Sequence, residues 1–176
     1  MHVLDIAQNS VRAGASLITI SFTIDDAHWL TIEINDDGCG MSPALLANVS
    51  DPFTTTRTTR KVGLGIPLLV DNAQRTGGKV SIVSKEKDGT SITATFNLKH
   101  IDCPPMGAMC DTLLSLVVMC PQSPAFVFTA NAHGREASFD TRILQEVLQG
   151  VALNTPEVVA WMRASINDEF KPILEV

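Results

Sequence analysis

Leu4, Ala7 and Val11 recur at helical spacing and predict an opening helix running to about Gly14, along which Asp5, Asn9 and Arg12 form a second, polar stripe. The period then drops to two. "SLITISFTI" and "WLTIEIND" alternate apolar and polar residues around the turn "DDAH", which predicts a hairpin. "PALLANV" reads as a short helix. Leu68, Leu69 and Ala73 predict another over about 66–76, ended by Gly77 and Gly78. A second hairpin, "KVSIVSK" and "TSITATFNL", turns at "EKDG". After "IDCPP" come a helix over 106–119, a hairpin from "AFVFTA" and "REASF", and two helices, one capped by Asp140 and one by Thr155-Pro156.

This order of elements predicts an α+β fold, a two-layer α/β sandwich with helices stacked on one face of a mixed sheet. Its natural boundary is the proline-broken "IDCPP", giving a domain over 1–100 and an α+β extension over 101–176. With 176 residues, 45% hydrophobic and 18% charged, the chain is long enough for a sizeable core and far from a disordered composition.

Charge narrows the partners. Residues 1–100 carry nine Lys/Arg against ten Asp/Glu and residues 101–176 four against nine, which together make the net charge of -6. No broad basic surface exists for nucleic acid. "DTLLSLVVMCP" is too short to span a bilayer, no signal peptide precedes "MHVLDIAQNS", and the expected location is cytoplasmic. Cys39, Cys103, Cys110 and Cys120 form no CxxC pair and are expected to be reduced and mostly buried.

Four motifs carry candidate chemistry. Asn9 lies on the polar stripe of the first helix, "DDGCGM" follows a strand, "DPFTTTRTTRKVGLG" is a long Thr/Arg-rich segment ending at a helix start, and "DGTSI" opens a strand. Glycines in such places let backbone approach a ligand, and a helix N-terminus offers free N–H groups to phosphate. Each alone is weak. In this one order they resemble the GHKL superfamily, the Bergerat-fold group of histidine-kinase catalytic domains, gyrase, heat-shock-chaperone and mismatch-repair ATPases and anti-sigma-factor kinases.

That resemblance, covering residues 1 to about 98, implies a histidine-kinase-like fold with ATP and Mg²⁺ as cofactors. Asn9 matches the family's N-box Asn, whose amide oxygen holds Mg²⁺, an ion that takes only one or two protein oxygens. Arg12 matches a phosphate-contacting cation, with a surface salt bridge as its alternative. Asp36 resembles the acceptor of the adenine amino group, and Gly38, Gly40 and Met41 complete that motif. Phe53, Thr54, Thr55, Thr56, Arg57, Arg60 and Lys61 match the phenylalanine box and lid, which lead into the second glycine box at Gly63, Leu64 and Gly65. Thr90 resembles the strand threonine near the adenine.

Two departures bear on activity. Asp5 stands where family ATPases carry Glu and many kinases Asn, so it is a shortened catalytic base or a helix cap. His2, His28, His100 and His133 are followed by Val, Trp, Ile and Gly rather than the acid of a phosphoacceptor box. The chain also starts within the N-box helix, without the strand and helix that commonly precede it. The expectation is a stand-alone protein kinase or ATPase acting on a partner protein, with room for a homodimer. Its alternative is a non-catalytic ATP-binding module that switches a partner through lid ordering. A third reading makes Cys103, Cys110 and Cys120 a redox sensor.

Overall fold

A computed structural model of the chain describes residues 2–49 and 64–174. Along them run α1 (Val3–Arg12), β1 (Leu17–Ile24), β2 (Trp29–Asp36), α2 (Pro43–Asn48), α3 (Gly65–Arg75), β3 (Val80–Lys85), β4 (Gly89–Asn97), α4 (Met109–Met119), β5 (Ala125–Ala132), β6 (Arg135–Asp140), α5 (Thr141–Leu148) and α6 (Pro156–Leu174). Every element expected from the hydrophobic pattern is present. α4 starts three residues late because Gly107, at φ 71°, holds the chain out of helix just before it.

The strands form one sheet in the order β3-β4-β2-β1-β5-β6, antiparallel except for the parallel pair β1 and β5. Its register sorts the two faces. One row across all six strands reads Ile82, Ile92, Ile34, Ile20, Phe128 and Phe139, while the next reads Ser81, Thr93, Glu33, Ser21, Thr129 and Ser138. A slip of one residue would exchange these faces, so the alternation specifies the pairing. Buried side chains of α1, α3, α4 and α6 join the apolar face in one core.

The helical stripes are rotated from those expected. In α1 the fully buried residues are Val3, Ile6, Ala7 and Ser10, with Leu4 and Val11 only partly covered. In α3 they are Gly65, Ile66, Leu69 and Ala73, and Leu68 is exposed. α3 ends where Gly77, at φ 75°, leads to a Gly78 N–H bond to the Ala73 carbonyl (2.8 Å).

The "IDCPP" break lies between β4 and α4, and beyond it the chain adds β5 and β6 to the same sheet. Ile20, wholly buried between Ile34 and Phe128, touches both sides of that break. Ile20→Val is therefore expected to lower one thermal unfolding transition by about 0.5–1.5 kcal/mol without splitting it. Calorimetry that resolved two transitions, with only one moved, would contradict the shared core.

Candidate functional site

At one end of the sheet the apolar face turns polar. The row next to Ile82, Ile92 and Ile34 is Ser84, Thr90 and Asp36. Ser10, the polar member of the buried α1 stripe, donates its hydroxyl to Asp36 Oδ2 (2.5 Å), and the Gly38 N–H donates to Oδ1 (3.0 Å). The half-buried carboxylate is thus held from both sides, by α1 and by the glycine loop. Each oxygen keeps a lone pair for another donor.

Ser84 ties the remaining pieces together. Its hydroxyl donates to the Gly89 carbonyl (3.0 Å) and accepts from the Met41 N–H (2.8 Å). Because its single proton is committed to Gly89, the Thr90 hydroxyl at 2.9 Å must be the donor to Ser84. Neither Ser10 nor Ser84 stands out in a motif. For Ser84 the signal is a serine in the inward row of a strand, which costs free energy unless it is hydrogen-bonded, whereas Ser10 has none, because the expected stripe of α1 does not include it.

Glycine is required where the loop meets the β3–β4 turn. A Cβ on Gly40, at φ 65°, would lie 1.9 Å from the Lys85 carbonyl oxygen, and one on Gly89, at φ 90°, 1.9 Å from that of Asp36. Backbone bonds Cys39 N–H to Ala13 O (2.9 Å) and Lys87 N–H to Cys39 O (2.8 Å) seal the loop in place.

Asp37 anchors the loop to β1. Its carboxylate accepts the Ser16 hydroxyl, the Ser16 N–H (2.7 Å) and the Leu17 N–H (2.9 Å). These donors, the Ser16 hydroxyl first, hold its pKa below the usual carboxylate range. A depressed folded pKa gives stability that is present above about pH 4, the unfolded value, and is lost as pH falls through the folded one. The parent is expected to exceed Asp37→Asn in denaturant midpoint at pH 7, with the gap closing below about pH 4. A gap constant with pH would contradict the anchor.

On α1, Asp5 is exposed and lies 3.2 Å from His2 Nδ1, and Arg12 donates from Nη1 to Asn9 Oδ1 (3.3 Å). Arg12 is thus joined to Asn9, the residue expected to match the N box. α3 begins against this stripe: a Cβ on buried Gly65 would sit 2.8 Å from Asp5 Cβ and 3.6 Å from Ile6 Cδ1. Exposed Leu64 is the N-cap and supplies no side-chain hydrogen bond to the first turn.

The structure therefore gathers Asp36, Gly38, Gly40, Met41 and Thr90 around Asp36, and Asp5, Asn9, Arg12, Leu64 and Gly65 along α1, with Ser10 joining the groups. Phe53, Thr54, Thr55, Thr56, Arg57, Arg60, Lys61 and Gly63 lie outside the described residues. Cys39 is exposed and Cys110 buried, whereas Cys103 and Cys120 are half-buried, a more open set than the composition suggested.

Residues 2–100 match the family model described as histidine kinase-, DNA gyrase B- and HSP90-like ATPase. That span exceeds half of the chain, and the chain belongs to this family. Sensor protein TorS of Escherichia coli is 29% identical over 104 residues, covering 58% of this chain and 11% of TorS. Sensor protein kinase FleS of Pseudomonas aeruginosa is 33% identical over 108 residues, covering 61% of this chain and 26% of FleS. The chain thus spans only about a tenth to a quarter of these curated relatives.

A solved N-terminal domain of a DNA repair protein shares the fold at 13% identity, with a TM-score of 0.51 over 78% of this chain and 50% of that one. This coverage exceeds residues 2–100, so the likeness takes in part of the chain beyond β4. The protein carries a histidine-kinase-like ATPase domain, and ATP is the ligand that such a domain implies.

Proposed function

We propose that the Asp36 cluster and the α1 stripe bind ATP with Mg²⁺, and that the chain acts as a protein kinase or ATPase in a cytoplasmic regulatory system, on a partner protein. The observation that carries this is the Asp36 carboxylate, oriented by Ser10 and by Gly38 with acceptor capacity to spare. Such an acceptor suits the amino group of adenine and rejects the oxygen that guanine presents there. Thr90 and Ser84 share the row of Asp36, and Gly40 and Met41, tied to that row through Ser84 and the β3–β4 turn, are assigned to the base with them.

For the phosphates, the open first turn of α3 offers N–H groups and the positive end of its dipole. Asn9 fits the metal because, among the described residues, its amide oxygen is engaged only by the long Arg12 contact, leaving a lone pair for a hard cation. Mg²⁺ held there would neutralise phosphate charge. Arg12 positions the Asn9 amide, and Asp5, beside the start of α3, is the base for water. The lid of this reading is assigned to residues 53–63, which lie outside the described residues.

Phosphate goes to water or to a partner rather than to this chain, because none of its histidines has a following acid. Burial raises the thiol pKa of Cys103 and Cys120, which opposes the thiolate chemistry of a redox sensor. Steady-state phosphate release separates turnover from a purely ATP-occupied switch: release above background supports the proposal, and none with any partner favours the switch.

Asn9→Ala tests the metal role. It should reduce ATP affinity about tenfold in Mg²⁺ and leave it unchanged in EDTA, with a normal circular dichroism spectrum, since losing one charge-assisted contact is worth roughly 1.5 kcal/mol. An unaltered affinity in Mg²⁺ would remove Asn9 from the metal site.

A further inference from the structure

At the β6 edge of the sheet, α5 and α6 leave an apolar groove that no other described element covers. None of the four apolar side chains of α5, Ile143, Leu144, Val147 and Leu148, is fully buried, and Ile143 and Val147 are 63% and 71% exposed. Across from them on α6 stands Trp161, 55% exposed, with Val158 beneath. The groove encloses about 620 Å³. Its rim carries Glu157 and Glu169, both exposed, and Asp140, which is paired with Arg142 (2.7 Å); no Lys or Arg lines it among the described residues.

We propose that this groove docks a partner protein through an amphipathic helix that is apolar on one face and flanked by Lys or Arg. Ile143 and Val147, one turn apart, and the α6 positions Val158, Trp161 and Ser165 present ridges at helical spacing, the surface into which a third helix packs. From Glu157 to Glu169 the groove runs about 18 Å along α6, the length of a helix of about three turns. Charge selects the flanks: carboxylates at both ends attract a basic helix and repel an acidic one. The same charges argue against a second copy of this chain, since a two-fold contact on this face would set Glu157 and Glu169 against like charges. The residues involved are all in the acidic region after residue 100, so the proposal does not depend on nucleotide chemistry.

The test uses the full chain carrying Trp29→Phe, so that Trp161 is the sole indole, and a 14-residue peptide of Leu and Lys at amphipathic spacing. Titration should shift Trp161 emission to the blue. Ile143→Ser and Val147→Ser, at exposed positions that leave the circular dichroism spectrum unchanged, should each weaken binding about tenfold or more. Glu157→Lys with Glu169→Lys should weaken it by a similar factor, and a Leu/Glu peptide of the same pattern should fail to bind. Three results would overturn the proposal: no emission shift, affinity indifferent to the serine variants or to peptide charge, or sedimentation showing a dimer that Val147→Ser dissolves. The last would assign the groove to a second copy.

Discussion

Asp5→Asn is expected to keep ATP binding and to lower intrinsic hydrolysis about a hundredfold or more, the usual scale for losing a general base. Asp5 is exposed, so its carboxylate can meet a water, and the start of α3 abuts it at Gly65, so that water would lie near the N-terminus of a helix, where the proposed site puts phosphate. The amide keeps the size of the side chain but cannot take the proton. Transfer to a partner brings its own nucleophile and should fall much less. Equal hydrolysis by variant and parent would mean that Asp5 is no base, and its contact with His2 would then be its role at the head of α1.

Gly40→Ala is expected to disable nucleotide binding and loosen the fold together. The new Cβ meets a backbone oxygen of Lys85 at 1.9 Å, which cannot swing aside as a side chain could. Relief requires the loop to leave the β3–β4 turn, breaking the bonds from Lys87 to Cys39 and from Met41 to Ser84. Overpacking of this kind and a left-handed alanine together cost about 3 kcal/mol, about a hundredfold in an equilibrium. Gly14→Ala is the control. Its φ of 71° imposes similar strain, but no atom lies within 4 Å of the added carbon. It should cost about 1–2 kcal/mol and leave ATP binding intact. Equal losses in the two variants would show that backbone strain, and not the close contact, governs this loop.

Much of this was legible in the sequence because local signals suffice for elements. The alternation in "SLITISFTI" gives β1 its faces without reference to any partner strand, and Asp36 is recognisable from its place at the end of β2 before two glycines. Contacts between distant segments are not local. Nothing in "AFVFTA" says that β5 lies parallel to β1, which is how residues 101–174 enter the same sheet.

The rotation of α1 shows the same limit. Leu4 and Val11 satisfy helical spacing as well as Val3 and Ile6 do, and only the packed sheet decides which stripe turns inward. That rotation carries Ser10 to Asp36, and so the best support for the carboxylate was invisible to periodicity. Gly38 and Gly40 were legible as turn glycines, whereas the reason alanine fails at Gly40 is an oxygen 45 residues further along, at Lys85.

In the proposed site Asp36 accepts a hydrogen bond from adenine. Calorimetric titration of the chain in Mg²⁺ with non-hydrolysable analogues of ATP and of GTP tests it most directly. The ATP analogue is expected to bind, the GTP analogue to bind at least about tenfold more weakly, and Asp36→Ala to abolish the difference, because a lost hydrogen bond to a charged acceptor is worth roughly 1.5–3 kcal/mol. Equal affinity for the two analogues in the parent chain would contradict it.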